Sequence, residues 1–314
     1  MSLAGYAARR LLQMIPIALG VTLLVFFLIH LVPGDPARTM LGTRATPERI
    51  ALLHEEWGLD EPLPVQYWRF LSRLVHGDLG ASLFYSVPAG RLVMERLPVT
   101  LWLIGLGTLL SVAIAVPLAT LAAAKRDRPT DHVVRAVPLV GLGFPSFWIG
   151  IMLLLAFALN SGRAFPVGGY GEGFLGHLHA MFLPALTVAL AISPILIRSL
   201  RASLLEVLES DYVATARSKG LPERRVLIRH GLRNAVISMV TVLGVNIGFL
   251  VGGTLVVEQV FALPGVGQLM INSIFQRDFP VVQAVTLAFT IMVVLVYLTT
   301  DIIHAALDPR VRFD

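Results

Sequence analysis

The sequence predicts an all-α polytopic membrane protein with six transmembrane helices and a helical segment outside the membrane between the first two. Three observations carry this expectation. Apolar residues form 56% of the 314-residue chain and charged residues only 14%, with a mean hydropathy of +0.77. Soluble domains sit near 45–50% apolar and 25% charged, and no core absorbs the excess, so lipid must solvate much of the surface. Six apolar runs are long enough to span, and the basic residues alternate in density between the segments that join them.

The runs are 11–31, 99–123, 134–159, 180–197, 236–257 and 281–300. At about 1.5 Å per residue, a run of about 21 residues reaches about 31 Å, the depth of a hydrocarbon core. The first run is too long for a signal-peptide h-region and has no A-x-A-like site before Pro33, so it reads as a retained span. The segment after it is polar and predicts helices of its own. Thr46-Pro47-Glu48 makes a helix start, with a cap, a proline in the first turn and an acid at the positive end. Ile50, Leu53 and Trp57 then share a face before Gly58, and a second helix carries Tyr67, Phe70, Leu71 and Leu74 up to Gly77. Residues 88–97 read as a short amphipathic helix along the membrane. On the fifth run, Gly244, Gly248 and Gly252 recur every four residues, a stripe that lets another helix approach closely. Pro16, Pro117, Pro138, Pro145, Pro184 and Pro194 lie in or near runs and predict kinks.

Most of the 25 basic residues fall on one side. That side holds Arg9 and Arg10, then Lys125, Arg126, Arg128 and Arg135, then the segment 199–235, then Arg310 and Arg312. The short loops of the other side hold Arg163 and Arg277. Both termini and the segment 199–235 are therefore expected in the cytoplasm. The positive charge is a topology signal and not a footprint for nucleic acid.

Several chemistries have no residues to carry them. There are no cysteines, which excludes disulfides and thiolate chemistry. The only lysines, Lys125 and Lys219, do not close a G-x-x-x-x-G-K-[ST] loop, so the chain carries no P-loop ATPase. No G-x-S-x-G or H-E-x-x-H is present, and His177 and His179 are too few for a metal site. No Asp, Glu, Lys or Arg lies centrally in any run, which argues against coupling to an ion gradient. An ion-coupled secondary transporter or channel stays open as the alternative.

The stretch DYVATARSKGLPERRVLIRHGLRNA, residues 211–235, is basic and broken by Gly and Pro between two spans. Asp211 suits a helix start, Arg217 and Lys219 suit its negative end, Gly220 suits a left-handed cap, and Pro222 stops the helix. A second helix from Pro222 would run into the fifth span with Arg225, Arg229 and Arg233 four apart. The small Ala214, Thr215, Ala216 and Ser218 give the first helix a low profile for a groove. A lipid-binding basic patch needs neither the small residues nor the turn, so the stretch reads as a docking element.

A-T-A-R-S-K-G followed by H-G-L-R-N-A resembles the EAA signature of ABC importer permeases, with its alanines at Ala214 and Ala216 and its glycine at Gly220. The sequence departs from that signature at its glutamate and proline, where Ala214 and Arg233 stand. D-Y-x-x-T-A-R-x-K-G-L and H-x-L-R-N-A are similar to the dipeptide/oligopeptide/nickel permeases, B-type subunit. So are A-R-R-L near the start, H-L-V-P-G-D-P at 30–36, H-G-D-L-G-A-S at 76–82, F-A-L-P-G-V-G at 261–267, R-D-F-P-V-V-Q at 277–283 and D-P-R-V-R at 308–312. The resemblance implies the type I ABC importer permease fold in a bacterial plasma membrane. It implies an N-terminal tail and first span at 1–32, an extracytoplasmic segment at 33–93, a transmembrane domain at 94–305 and a tail at 306–314. Implied partners are a homologous second permease, two P-loop ATPase subunits and an extracytoplasmic solute-binding protein, besides lipid. ATP and Mg2+ would sit in the ATPases, with no cofactor and no catalytic residue here. Residues 211–220 would be the coupling helix. The implied contact set is Asp211, Tyr212, Ala214, Thr215, Ala216, Arg217, Lys219, Gly220 and Leu221, then His230, Leu232, Arg233 and Asn234. The substrate implied is a peptide.

Overall fold

The computed structural model of the chain has thirteen α-helices among the residues it describes, 3–31, 34–42, 45–160 and 164–307. No strand occurs among them; one isolated antiparallel bridge joins Ala81 and Pro88. Pro33, Arg163, Arg310, Arg312 and the motif at 308–312 lie outside the described residues, and Arg9 and Arg10 are described in backbone only.

Five helical stretches are long and apolar enough to cross a membrane. They are Leu12–His30 of α1 (Leu3–His30), α5 (Ala89–Ala124), α8 (Gly173–Leu208), the continuous Glu223–Val260, and Phe279–Ala306 of α13 (Phe279–Leu307). The expected third span is not one helix. It divides into α6 (Pro129–Leu142) and α7 (Ser146–Leu153), the latter extended by a π-helical turn Leu154–Leu159, and the two halves bend by 101°. Pro145 is the cause: it donates no N–H and disfavours the helical region for Phe144. Hydropathy misses the break because Leu139, Val140, Leu142 and Phe144 before it and Phe147, Trp148 and Ile149 after it keep the window average apolar.

A second correction concerns residues 88–97. They form no separate helix but the first turns of α5, which continues through Pro98 without interruption. Packing holds them there: Ala89, Leu92 and Val93 join Val266, Leu269, Val281, Ala284 and Val285 in one apolar cluster. At 36 residues, α5 is about 54 Å long and outreaches a hydrocarbon core of about 30 Å.

The described chain divides into two compact units. The first comprises Met1–Ala7, Leu101–Leu263 and Leu295–Asp314. Its centre is α8, the most buried of the spans, which packs against α6, α7 and the long helix α11 (Arg233–Val260). Leu196, Leu200 and Leu204 of α8 are fully buried, each worth about 1.5–3 kcal/mol of apolar burial. Gly107 of α5 and Gly150 of α7 permit close approach; a Cβ at Gly107 would lie 2.6 Å from Val188 of α8.

The second unit comprises Ala8–Thr100 and Pro264–Val294. Here α3 (Pro47–Trp57) starts as its sequence dictates: the Thr46 hydroxyl accepts from Arg49 N–H at 3.3 Å, and Gly58 ends it in the left-handed region at φ +63°. Leu53 is buried with Ala37 and Met40, and Ile50 and Trp57 pack on them. The helix α4 (Leu63–Val75) lies on the C-terminal half of α1. Tyr67 Oη and Thr22 Oγ1 are 3.0 Å apart, and His30 Nε2 and Gln66 Oε1 are 3.0 Å apart. Two helices here were not expected, α2 (Pro36–Leu41) and α12 (Val266–Gln276). The first is a single capped turn or so, and the second buries Gly267 and Ser273 along with Val266 and Leu269, a mixed face with little periodic signal.

Candidate functional site

Between α8 and α11 the chain makes a short elbow, all of it within the first unit. After the turn Glu209–Ser210, α9 runs Asp211–Ser218, with extended Ser210 as its N-cap residue and Asp211 in its first turn. The far end closes as a Schellman motif: Gly220 N–H donates to Arg217 C=O at 2.9 Å and Leu221 N–H to Ala216 C=O at 3.3 Å. Gly220 has φ +75°, a conformation that costs a glycine nothing. Pro222 then caps α10 (Glu223–Arg225), which passes through a π-helical stretch, Val226–Leu232, into α11.

The elbow is braced on three sides. Asn234 Nδ2 donates to Tyr212 Oη at 2.9 Å and to His230 C=O at 2.9 Å, which ties α9 to the start of α11. Arg217 donates to both Glu223 carboxylate oxygens at 2.7 and 3.1 Å, and to Leu208 C=O at 3.1 Å. Arg126, in the turn between α5 and α6, pairs with Glu209. A small cavity of about 260 Å³ lies among Arg126, Leu208, Glu209, Arg217, Glu223 and Leu227.

The residues singled out in sequence divide into two roles. Asp211, Tyr212, Ala214, Thr215, Arg217, Lys219 and Gly220 are exposed, as are Arg233 and Asn234. Ala216 is buried with Val213 on the inner face of α9, and Leu221, His230 and Leu232 are half-buried. The outer face therefore mixes the small Ala214, Thr215 and Ser218 with the larger Tyr212, Arg217 and Lys219. Arg217 is engaged within its own chain, on the Glu223 carboxylate and Leu208 C=O. Arg225, Arg229 and Arg233 are all exposed, and a π-helical stretch, Val226–Leu232, runs between the first and the last of them.

The glycine stripe is used unevenly. Gly244 sits against Thr300 and Gly248 against Tyr297, both on α13, whereas a Cβ at Gly252 would meet nothing within 4 Å. His177 Nδ1 lies 2.9 Å from Tyr170 C=O and His179 Nε2 lies 2.9 Å from Ala164 C=O, so each ring engages a different stretch of backbone. Among the described residues no group of three or more His, Cys, Asp or Glu is placed to hold a metal.

Sequence reasoning missed the buried ionisable groups near the helix ends. Asp131 of α6 is fully buried and takes a two-pronged contact from Arg201 of α8, Nε to Oδ1 at 2.7 Å and Nη2 to Oδ2 at 2.6 Å. Glu258 of α11 is also fully buried. The partners in the first pair are 70 residues apart, and no local pattern announces them.

The family model described as the binding-protein-dependent transport system inner membrane component matches residues 115–313, and that of the N-terminal part of such membrane components matches residues 3–104. The chain is 38% identical over 309 residues to the glutathione transport system permease protein GsiC of Salmonella paratyphi A, covering 98% of this chain and 99% of that one. It is 38% identical over 317 residues to the oligopeptide transport system permease protein AppB of Bacillus subtilis, covering 99% of this chain and all of that one. In fold it is similar to the MetNI methionine ABC transporter in an inward-facing conformation, at a TM-score of 0.59 and 16% identity over 69% of this chain and 96% of that chain. It is also similar to an amino acid ABC transporter, at a TM-score of 0.53 and 17% identity over 69% of this chain and 94% of that chain. Matched by the family model over most of its length and by relatives end to end, this all-helical, multi-span chain belongs to the binding-protein-dependent inner membrane components, the permeases of ABC importers.

Proposed function

We propose that this chain forms half of the translocation pathway of an ATP-driven importer for small peptides, with a homologous permease as the other half. Glutathione, itself a tripeptide, falls in the same class, and relatives at 38% identity are named for glutathione and for oligopeptides. Two P-loop ATPases bind ATP and Mg2+ and dock on α9, and a solute-binding protein delivers the peptide to the segment 33–93. The transmembrane domain 94–305 lies beyond that segment, and both termini face the cytoplasm with the loop 199–235.

One observation carries this reading: α9 is short, closed at its C-terminal end by the Gly220 turn and tied by Tyr212, Asn234, Arg217 and Glu223, with the small Ala214 and Thr215 exposed on its outer face. A stiff helix with a braced turn passes a partner's displacement to its spans, and a loose loop would absorb it. The surface set Asp211, Ala214, Thr215 and Lys219 makes the contact, while Ala216, Gly220, His230 and Asn234 keep the elbow rigid.

The test is to tag the chain, express it with the neighbouring subunits and ask what copurifies. A P-loop ATPase is expected with the wild type and is expected to be lost with Thr215→Trp, which places an indole on the exposed face. Peptide uptake by the chain alone in proteoliposomes, driven only by an ion gradient, would refute the proposal.

A further inference from the structure

We propose that Asp131 and Arg201 are positioning residues for transport: their buried pair carries displacement from the elbow through α8 into α6. The inference rests on the importer reading above and adds the route by which motion leaves the docking helix.

The geometry is that of a strut. Asp131 is fully buried at the first turn of α6 and Arg201 is on α8, between its buried residues Leu200 and Leu204. Two parallel N–H···O bonds, at 2.7 and 2.6 Å, fix the rotation of one helix on the other as well as their separation. Asp131 Oδ2 also accepts the Asp127 N–H at 3.0 Å, so the turn that leads into α6 is locked to the same carboxylate.

The strut stands close to the elbow. At the end of α8, Glu209 pairs with Arg126 of that turn, and Leu208 C=O accepts from Arg217 of α9. The elbow, the last turns of α8 and the first turn of α6 are thus joined at three points, of which the Asp131–Arg201 pair is the most buried, with Asp131 fully buried and the Arg201 side chain 15% exposed. The Arg126 and Glu209 side chains are 51% and 65% exposed, and exposed pairs contribute little free energy. Beyond the strut, α6 leads straight to the 101° break before α7. Displacement delivered to α6 therefore arrives on one side of a bend, where it changes an angle and is not lost along a straight rod.

Stability alone is a poor reason for the pair. Two charges removed from water gain little net free energy over apolar side chains of the same volume. What an ion pair adds over apolar packing is a single permitted geometry.

The test uses the whole complex in proteoliposomes with its solute-binding protein, following labelled glutathione and trialanine together with ATP hydrolysis. Arg201→Lys keeps the charge but loses the two-pronged contact, and Asp131→Asn keeps the shape but loses the charge. Both complexes are expected to hydrolyse ATP at close to the wild-type rate while moving at least fivefold less peptide per ATP. Exchange of the two side chains, Asp131→Arg with Arg201→Asp, is expected to recover part of the ratio. Peptide moved per ATP within twofold of wild type in both single variants overturns the proposal. So does a parallel loss of hydrolysis and uptake, the mark of a pair that only maintains the fold. A wild-type preparation that binds no ATPase counts against the importer reading itself.

Discussion

Ser82 donates a hydrogen bond to the Asp278 carboxylate across 196 residues of sequence, and both side chains are almost fully buried. The contact joins the H-G-D-L-G-A-S stretch to the R-D-F-P-V-V-Q stretch within the second unit. Ser82 Oγ also accepts the Tyr85 N–H at 2.8 Å, so one hydroxyl closes its own turn and satisfies the carboxylate. Asp278 Oδ1 has no partner among the described residues. Ser82→Ala would take from Oδ2 the hydroxyl donor it has here, beside an Oδ1 that already lacks one, at a cost of about 1–3 kcal/mol. The expected result is a lower melting temperature of the detergent-solubilised protein. With Asp278→Asn already present, Ser82→Ala should cost less, because a neutral amide tolerates the loss better. Equal shifts in both backgrounds would show that the two side chains are not coupled.

Gly220 separates conformational strain from steric clash. A Cβ there meets nothing within 4 Å, yet φ is +75°. Gly220→Val therefore fails on backbone grounds alone, by about 1–2 kcal/mol for a residue forced into the left-handed region. That is enough to melt the Schellman turn but not to unfold spans. Insertion and ATPase binding should survive while peptide uptake is lost. Gly220→Asn, which tolerates this region, should retain most uptake. A normal uptake rate in the valine variant would mean that the turn does not need its cap.

Both ends of α9 were readable because caps are local. Asp211, Gly220 and Pro222 act within one turn of where they stand, as do Thr46, Pro47 and Gly58 around α3. The pairs that hold the elbow and the second unit were not readable. Asp131 with Arg201, Ser82 with Asp278, and Arg126 with Glu209 are joined by folding alone and leave no trace in periodicity. The break at Pro145 was half-legible. The proline was visible, but hydropathy integrates over a window and reads straight through a bend. The π-helical stretch Val226–Leu232 left no signal at all, since its residues would serve equally well in an α-helix.

The three glycines on α11 should respond differently to one methyl group. At Gly248 a Cβ would lie 2.8 Å from Tyr297 Oη and 3.0 Å from its ring, and at Gly244 it would run into Thr300. Overpacking of this kind costs about 1–3 kcal/mol. Gly244→Ala and Gly248→Ala should each lower the melting temperature, Gly244 by more because Thr300 is β-branched and cannot swing away. Gly252→Ala should be neutral or slightly stabilising, since the site is open and alanine favours the helix. Equal effects at all three would mean that the stripe packs as one surface against something other than α13.

His54 makes the second unit sensitive to pH, with a sign that can be worked out. Its Nε2 lies 2.9 Å from Asp35 Oδ1 and its Nδ1 lies 2.9 Å from Asp60 Oδ1. Ionised carboxylates only accept, so both ring nitrogens must donate, and only the imidazolium does that. The hydrogen bond to Asp35, followed by that to Asp60, accordingly raises the His54 pKa above 6.5. Burial pushes the Asp35 carboxyl up, but the bonds from His54 and the Ala37 N–H outweigh it and hold it below 3.8. A raised histidine pKa gives stability that is complete below 6.5 and lost as pH climbs through the folded value. A lowered carboxylate pKa gives stability that is present above 3.8 and lost as pH falls through the folded value. The clasp is therefore tightest between about pH 4 and 6.5 and loosens on the alkaline side first. Arg38, Glu55, Glu61 and Arg69 line the same open groove, and of the two anchors the Asp60 side chain is 80% exposed. Asp35, at 32% exposed, should therefore dominate. Hydrogen-exchange protection across residues 35–60, corrected for intrinsic rate, should fall several-fold between pH 6 and pH 9. That dependence should vanish in His54→Gln, shrink strongly in Asp35→Asn and change little in Asp60→Asn. A pH dependence in His54→Gln as steep as in the wild type would place the titrating group elsewhere.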